Sequence, residues 1–207
     1  YWIWQGRTGL SLYHPASEQI SFASDFPNDT GKYHIIKCIE KCRTQPGIWA
    51  ASGNACVVHL QHESMKMKCI QEIRIPDACQ VRVLHEDDQG NLWIGTENAI
   101  YQYSISDGNM RRIHKDTGAI NGIAISPDKA IYYITETPEF SCLPPDGQVH
   151  SIHKGENYSS IIISPDNKIW TATLEGNVYS YHPQLQTLAR EDNACNALSL
   201  IHISEPT

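Results

Sequence analysis

A chain of 207 residues, 41% of them hydrophobic, with 13 Gly and 11 Pro serving mostly as turn punctuation, is long enough for one sizeable repeat domain. Lys plus Arg number 16 against 23 Asp plus Glu, a net charge of −7, and the basic residues are scattered rather than gathered into a stripe, which argues against a nucleic-acid partner. No run approaches the roughly 18 apolar residues of a membrane span, and the opening YWIWQGRTG carries neither the basic region nor the cleavage site of a signal peptide.

In chain order the sequence reads as short strands punctuated by turns. Residues 1–5, 10–13 and 19–23 form three strands of a four-stranded unit whose first strand is missing. Residues 33–41, 48–51, 55–60 and 67–73 form the second unit, and 79–85, 92–95, 99–103 and 110–114 the third. Residues 120–125, 130–135, 139–143 and 148–152 form the fourth, and 158–163, 168–172, 177–181 and 187–190 the fifth, before 194–201 opens a further first strand. The clearest copy is DQGNLWIGTENAIYQYS at 88–104: a turn, a strand, a second turn and a strand of alternating apolar and polar residues, which is a hairpin.

The copies align on the aromatic residue after the first turn. Trp49, Trp93, Tyr132 and Trp170 are 44, 39 and 38 residues apart, and Trp2 lies 47 before Trp49. A period of about forty with four short strands per repeat is the pattern of β-propeller blades, and no window sustains the 3.6-residue periodicity that helical repeats need. The expected fold is therefore all-β, a single propeller of four-stranded blades spanning 1–207 with about five blades present. The last strand could pair with the first three and close a five-bladed ring. The reading favoured here is a fragment of a larger, six-bladed parent, since both ends fall inside blades. The stretch LSLIHISEPT at 198–207 resembles sequencing-adapter read-through, and part of it is expected not to belong to the natural protein.

Seven cysteines (Cys38, Cys42, Cys56, Cys69, Cys79, Cys142, Cys195) are an odd number without regular spacing. They are expected to be reduced thiols, mostly buried in strands, of a cytoplasmic protein. Cys38 and Cys42 lie close enough to suggest zinc ligands, but no second pair follows at zinc-site spacing. His59 and His62 fall on opposite sides of an alternating strand, which argues against a shared metal. Trp49, Trp93 and Trp170 are expected to pack blade against blade. The sequence has no G-x-S-x-G, H-E-x-x-H or P-loop.

Two families share phrases with this chain. The stretch at 88–104 resembles the propeller repeats of two-component regulators. YWIWQGRTGLSLYHPASE, INGIAISPDKAIYYITET and YSSIIISPDNKIWTATLEGNVYSYHP are similar to the first, fourth and fifth blade lines of the gluconolactonase and senescence-marker-protein (regucalcin) family of six-bladed propellers, a likeness running over 1–190. That resemblance implies a divalent cation, usually calcium, held by a glutamate, two asparagines and an aspartate, and used to open sugar lactones. A hard cation takes such oxygens, polarises a lactone carbonyl and activates water, with a carboxylate as general base.

The family's ligands stand at the start of each blade's innermost strand, 11 residues before the repeat aromatic. Asn121 matches the fourth-blade asparagine. Ser159 stands where the aspartate is expected, Arg82 where the other asparagine is expected, and Gln80 where the family's substrate-contacting arginine would be. The glutamate would precede Tyr1. Glu136, one residue beyond a place where the family often has aspartate, is a conceivable substitute, while Asp87 and Asp88 lie at the wrong end of the strand. Against these stand plainer readings: Asn121 as part of an Asn-Gly turn, and Arg82 as partner of an acidic neighbour. The expectations are a divergent metal-dependent lactone hydrolase acting on a small sugar-lactone-like molecule or, alternatively, a non-catalytic sensor or ligand-binding propeller that has lost the metal site.

Overall fold

The computed structural model describes residues 2–4, 10–22, 36–52, 55–63, 66–77, 80–116, 118–145 and 147–191, with the side chains of 2–4, 10–12, 14, 20–22, 63, 66 and 67 outside that description. The chain divides into two compact units, Tyr1–Ile120 and Asn121–Thr207. In the first, β1 (Trp2–Trp4), β2 (Leu10–His14) and β3 (Gln19–Phe22) make a three-stranded sheet. Two four-stranded sheets follow. One contains β4 (Ile36–Lys41), β5 (Ile48–Ser52), β6 (Cys56–Glu63) and β7 (Lys66–Arg74), and the other β8 (Val81–Glu86), β9 (Asn91–Thr96), β10 (Ala99–Ser104) and β11 (Met110–Lys115).

The second unit is built the same way. β12 (Ile120–Ile125), β13 (Ile131–Thr135), β14 (Glu139–Leu143) and β15 (His150–Lys154) form one sheet; β16 (Tyr158–Ile163), β17 (Ile169–Thr173), β18 (Val178–His182) and β19 (Thr187–Arg190) form the other. Each sheet is an up-and-down antiparallel meander in chain order, with no helix among the described residues, and this is the all-β, four-stranded blade architecture of a propeller. β6 extends to Glu63, three residues past its expected end, because β7 is long enough to continue the ladder through Glu63↔Lys66. β15 starts two residues late, after a turn in which the Gly147 N–H donates to the Pro144 carbonyl at 3.4 Å. Residues 194–207, including the expected further strand and the tail, lie outside the described residues.

Second strands form the cores because they are covered on both faces. Every residue of β5 and of β13 is buried. In the first unit Trp49, Ala51, Val57 and Ile73 pack with Val81, Leu84, Leu92, Ile94, Tyr101 and Tyr103, joining one sheet to the next, while Ile36, Ile48, Ala50, Val58 and Leu60 pack on the opposite face. In the second unit the inter-sheet core is aromatic: Phe140 meets Tyr158 and Tyr181 edge-on, with ring centroids 6.0 Å apart in both pairs.

One turn grammar recurs. After each first strand a backbone N–H donates back across the turn: Cys42 to Gly47, Asp87 to Asn91, Ser126 to Ala130 and Ser164 to Lys168. The second strand ends on a buried hydroxyl residue, Ser52, Thr96, Thr135 or Thr173. The Thr96 hydroxyl accepts from the Ala99 N–H at 3.0 Å and the Thr173 hydroxyl from the Asn177 N–H at 3.1 Å, which closes the following hairpin turn. The turn at 42–47 spans one residue more than the others. Gly47 accommodates it at φ +116°, in a place where a Cβ would collide with the Leu60 carbonyl.

Of the repeat tryptophans Trp49 and Trp93 are buried, as expected, whereas Trp170 is half-buried, and two of the three spend the indole N–H on a turn. Trp93 donates to Asp87 at 2.8 Å and Trp170 to Ser164 at 3.3 Å. Trp49 donates instead across to the next sheet, to Glu86 at 2.7 Å. Glu86, with 0% exposure, also accepts from the Thr44 N–H at 2.9 Å and the Thr44 hydroxyl at 2.5 Å. Glu86→Ala would leave the buried Trp49 indole N–H without its acceptor, at roughly 1–3 kcal/mol, while the exposed Thr44 can turn to water. The expected result in urea denaturation is a loss of about 1–3 kcal/mol, with Glu86→Gln recovering part of it; an unchanged midpoint in both variants would contradict this account.

Candidate functional site

The first strands β4, β8 and β16 each begin with a ladder irregularity. Ile36 pairs with Ser52 and Cys38 with Ala51, leaving Lys37 unopposed. Val81 pairs with Thr96 and Val83 with Gly95, leaving Arg82 unopposed. Tyr158 pairs with Thr173 and Ser160 with Ala172, leaving Ser159 unopposed. Asn121 is the corresponding second residue of β12. A bulge of this kind takes one residue out of the pleat and re-aims its side chain, a device concentrated beside functional sites. The preceding residues Ile36, Val81, Ile120 and Tyr158 are all buried.

The positions singled out in the sequence as Arg82, Asn121 and Ser159 are thus one structural position repeated. Arg82 belongs to the first unit; Asn121 and Ser159 occupy equivalent places in the two sheets of the second. Lys37 is the member the sequence spacing missed. Counting 11 residues back from Trp49 lands on Cys38, because the turn at 42–47 is one residue longer than the other three. Gln80 precedes β8 and is half-buried. Glu136 is exposed in the turn that follows Thr135, and so stands at the strand end where β13 meets the start of β12. Asp87 lies in the turn at the far end of β8, as expected, and Asp88 beside it pairs with Arg43 at 3.1 Å.

These donors do not fit the calcium cage that the resemblance implies. Such a cage takes six to eight oxygens, with carboxylates among them. In the first unit the positions offer two cations, Lys37 and Arg82, and in the second an amide and a hydroxyl, Asn121 and Ser159, with the Ser159 hydroxyl donating to the Ala172 carbonyl at 3.2 Å. Among the described residues no three His, Cys, Asp or Glu side chains gather as metal ligands. Cys38 and Cys42 are free, and burial pushes both thiols up to about 12, which works against the thiolate a zinc ion would need. His59 is buried on the core side, with Nε2 at 2.9 Å from the Pro46 carbonyl, whereas His62 is exposed, so the two do face opposite ways.

The family described as SMP-30/Gluconolactonase/LRE-like region matches residues 82–197, more than half of the chain. The chain belongs to this family. No curated protein sequence matches it significantly. Among solved structures, the extracellular domain of a putative one component system from B. thetaiotaomicron is similar at 19% identity and a TM-score of 0.67, covering 86% of this chain and 25% of that one. A catalytically inactive virginiamycin B lyase from Staphylococcus aureus, solved with quinupristin, is similar at 13% identity and a TM-score of 0.68, covering 88% and 62%. The Pan2 WD40 domain from Neurospora crassa follows at 15% identity and a TM-score of 0.62, covering 81% and 52%. At these identities the likeness is one of fold, and the chain spans from a quarter to about three fifths of those structures.

In the first unit of this family member, the buried ionisable groups lie along the other half of the first strands. His85 Nδ1 stands 3.6 Å from Glu40 Oε1, and the Glu86 N–H donates to the same oxygen at 3.4 Å. Proximity favours the ion pair, but burial is the larger influence on each partner. Burial raises the Glu40 carboxyl above 4.5, helped by the Glu86 charge and opposed by the Glu86 N–H and Arg43. Burial, with Arg43 adding to it, lowers His85 below 6.5 against the pull of Asp87, Asp88 and Glu86. The folded chain therefore holds a proton on His85 less tightly than the unfolded chain does, and on Glu40 more tightly. The His85 contribution to stability is present above pH 6.5 and is lost as the pH falls below it. The Glu40 contribution is present below pH 4.5 and is lost as the pH rises above it. On acidification from pH 7 to 5.5, His85→Gln is expected to gain on the parent chain by up to about 1.4 kcal/mol per pH unit, the slope of one proton. Parallel stability profiles would contradict the assignment.

Proposed function

We propose that this chain is a divergent gluconolactonase-like propeller that binds a small polar molecule of the sugar-lactone or sugar-acid kind without a calcium cage. One observation carries the reading: within each unit taken by itself, the second residue of each first strand is no carboxylate, being Lys37 and Arg82 in the first unit and Asn121 and Ser159 in the second. A fixed cation at such a position repels a divalent ion, and an amide or hydroxyl alone holds one weakly. The same groups are well suited to hydrogen-bonding the hydroxyls and carboxylates of a sugar derivative. A sensor role, with binding in place of turnover, is the non-catalytic form of this reading, and the two-component-regulator phrase at 88–104 is in keeping with it.

Family membership and the place of Asn121 favour a second reading, a calcium-dependent lactone hydrolase with Asn121 as a ligand and Glu136 as an accessory carboxylate. Titration of calcium chloride by calorimetry into the parent chain and Asn121→Ala, alongside D-glucono-1,5-lactone turnover with and without chelator, separates the two. The expected result is no saturable calcium heat and no chelator-sensitive turnover, with gluconolactone or gluconate still raising the thermal midpoint. Calcium binding that is lost in Asn121→Ala, together with chelator-sensitive hydrolysis, would replace the first reading with the second.

A further inference from the structure

We infer that a cavity at the outer strands of the second unit is a binding site for a neutral glycoside, independent of the bulge positions and of the reading above. About 380 Å³ in volume, it is lined by His150, Ser151 and Ile152 of β15, Tyr181 of β18, Gln186 of the following turn and Leu188 of β19. β15 and β19 are each the last strand of a sheet, so the cavity lies away from the first strands. Its size falls within the range of small-molecule sites. The less exposed part of the lining is apolar and held in place. Ile152 and Leu188 pack against the aromatic core, and the Tyr181 ring is fixed by Phe140 and Tyr132, whose centroids lie 6.0 and 6.1 Å away. The rest is polar: His150, Ser151 and Gln186 are exposed, and among the described residues none takes a hydrogen bond from their side chains.

The chemistry of the lining selects the ligand. An imidazole, a hydroxyl, a phenol and an amide suit the alcohol groups of a sugar, while the aliphatic side chains suit the C–H face of its ring. No carboxylate, ammonium or guanidinium of a described residue lines the cavity to favour a charged ligand. Gln186 carries the argument further. Its backbone is left-handed, at φ +51°, a conformation that costs any residue with a Cβ. Residues 14 and 19, 104 and 109, and 182 and 187 face each other across turns of equal length. The residues that correspond to Gln186 are therefore Glu18, at φ +54°, and Gly108, at φ +68°. Gly108 shows that the turn itself needs no side chain. Of the two turns that bear one, the turn at Gln186 borders the cavity, and strain of this kind is retained where a side chain has work at a site.

The test titrates the full chain with methyl β-D-glucopyranoside, methyl β-D-galactopyranoside and methyl α-D-mannopyranoside, read by NMR, with sodium gluconate as a charged competitor. Gln186→Gly borrows the residue that the fold already uses at this turn position and is expected to unfold at the parent midpoint or above it. Ser151→Ala removes one exposed hydroxyl. At least one glycoside is expected to bind saturably, to be weakened tenfold or more by Gln186→Gly and severalfold by Ser151→Ala, and to stay bound in the presence of equimolar gluconate. Saturable binding of none of the three, or an affinity unchanged in both variants, would mean that the cavity is only a gap left where two sheets diverge and would overturn the inference. Displacement by gluconate would overturn the neutral ligand. None of these results touches the calcium and gluconolactone experiment, so the two readings fail separately.

Discussion

A carboxyl group sealed from solvent ties the first unit together. Glu86 sits at the end of β8, yet its three donors all belong to the neighbouring sheet: the Thr44 N–H, the Thr44 hydroxyl and the Trp49 indole. Apolar packing between two twisted sheets is tolerant of sliding, since one methyl group serves much like another. A directional contact with three fixed donors is not tolerant, and it sets where β8 stands against β5. Tyr101, donating to the Pro76 carbonyl at 2.7 Å, and Gln71, donating to the Tyr103 hydroxyl at 2.6 Å, repeat the device toward the outer strands.

Much of this architecture was legible in the sequence because period and alternation are local signals. The strands 120–125, 139–143, 158–163 and 187–190 coincide with β12, β14, β16 and β19 to the residue. The hairpin at 88–104 appears as β9 and β10, with Gly95 opposite Ile100. What stayed hidden was non-local. Nothing in the letters around Glu86 distinguishes it from the exposed acids beside it, and its role appears only once Thr44 and Trp49 are brought to it from about forty positions earlier.

The candidate site was legible in part, and for a physical reason. A fixed spacing from the repeat aromatic finds the bulge wherever the intervening turn has constant length, as it does for Arg82, Asn121 and Ser159. The glycine-bearing turn at 42–47 adds a residue, so the same ruler slipped by one and passed over Lys37 in favour of a half-buried cysteine. Because side chains alternate along a strand, a slip of one residue exchanges an outward-facing group for an inward-facing one. It thus hid one of the two basic residues that stand at this position in the first unit.

The bulge also bears on how such a protein can change over time. A residue inside a ladder answers to two neighbours across the sheet, and altering it disturbs packing that the whole blade shares. A residue unopposed in the ladder is freer of that constraint, and lysine, arginine and serine all stand at such places in this chain. Chemistry and stability are thereby written at different addresses in each repeat.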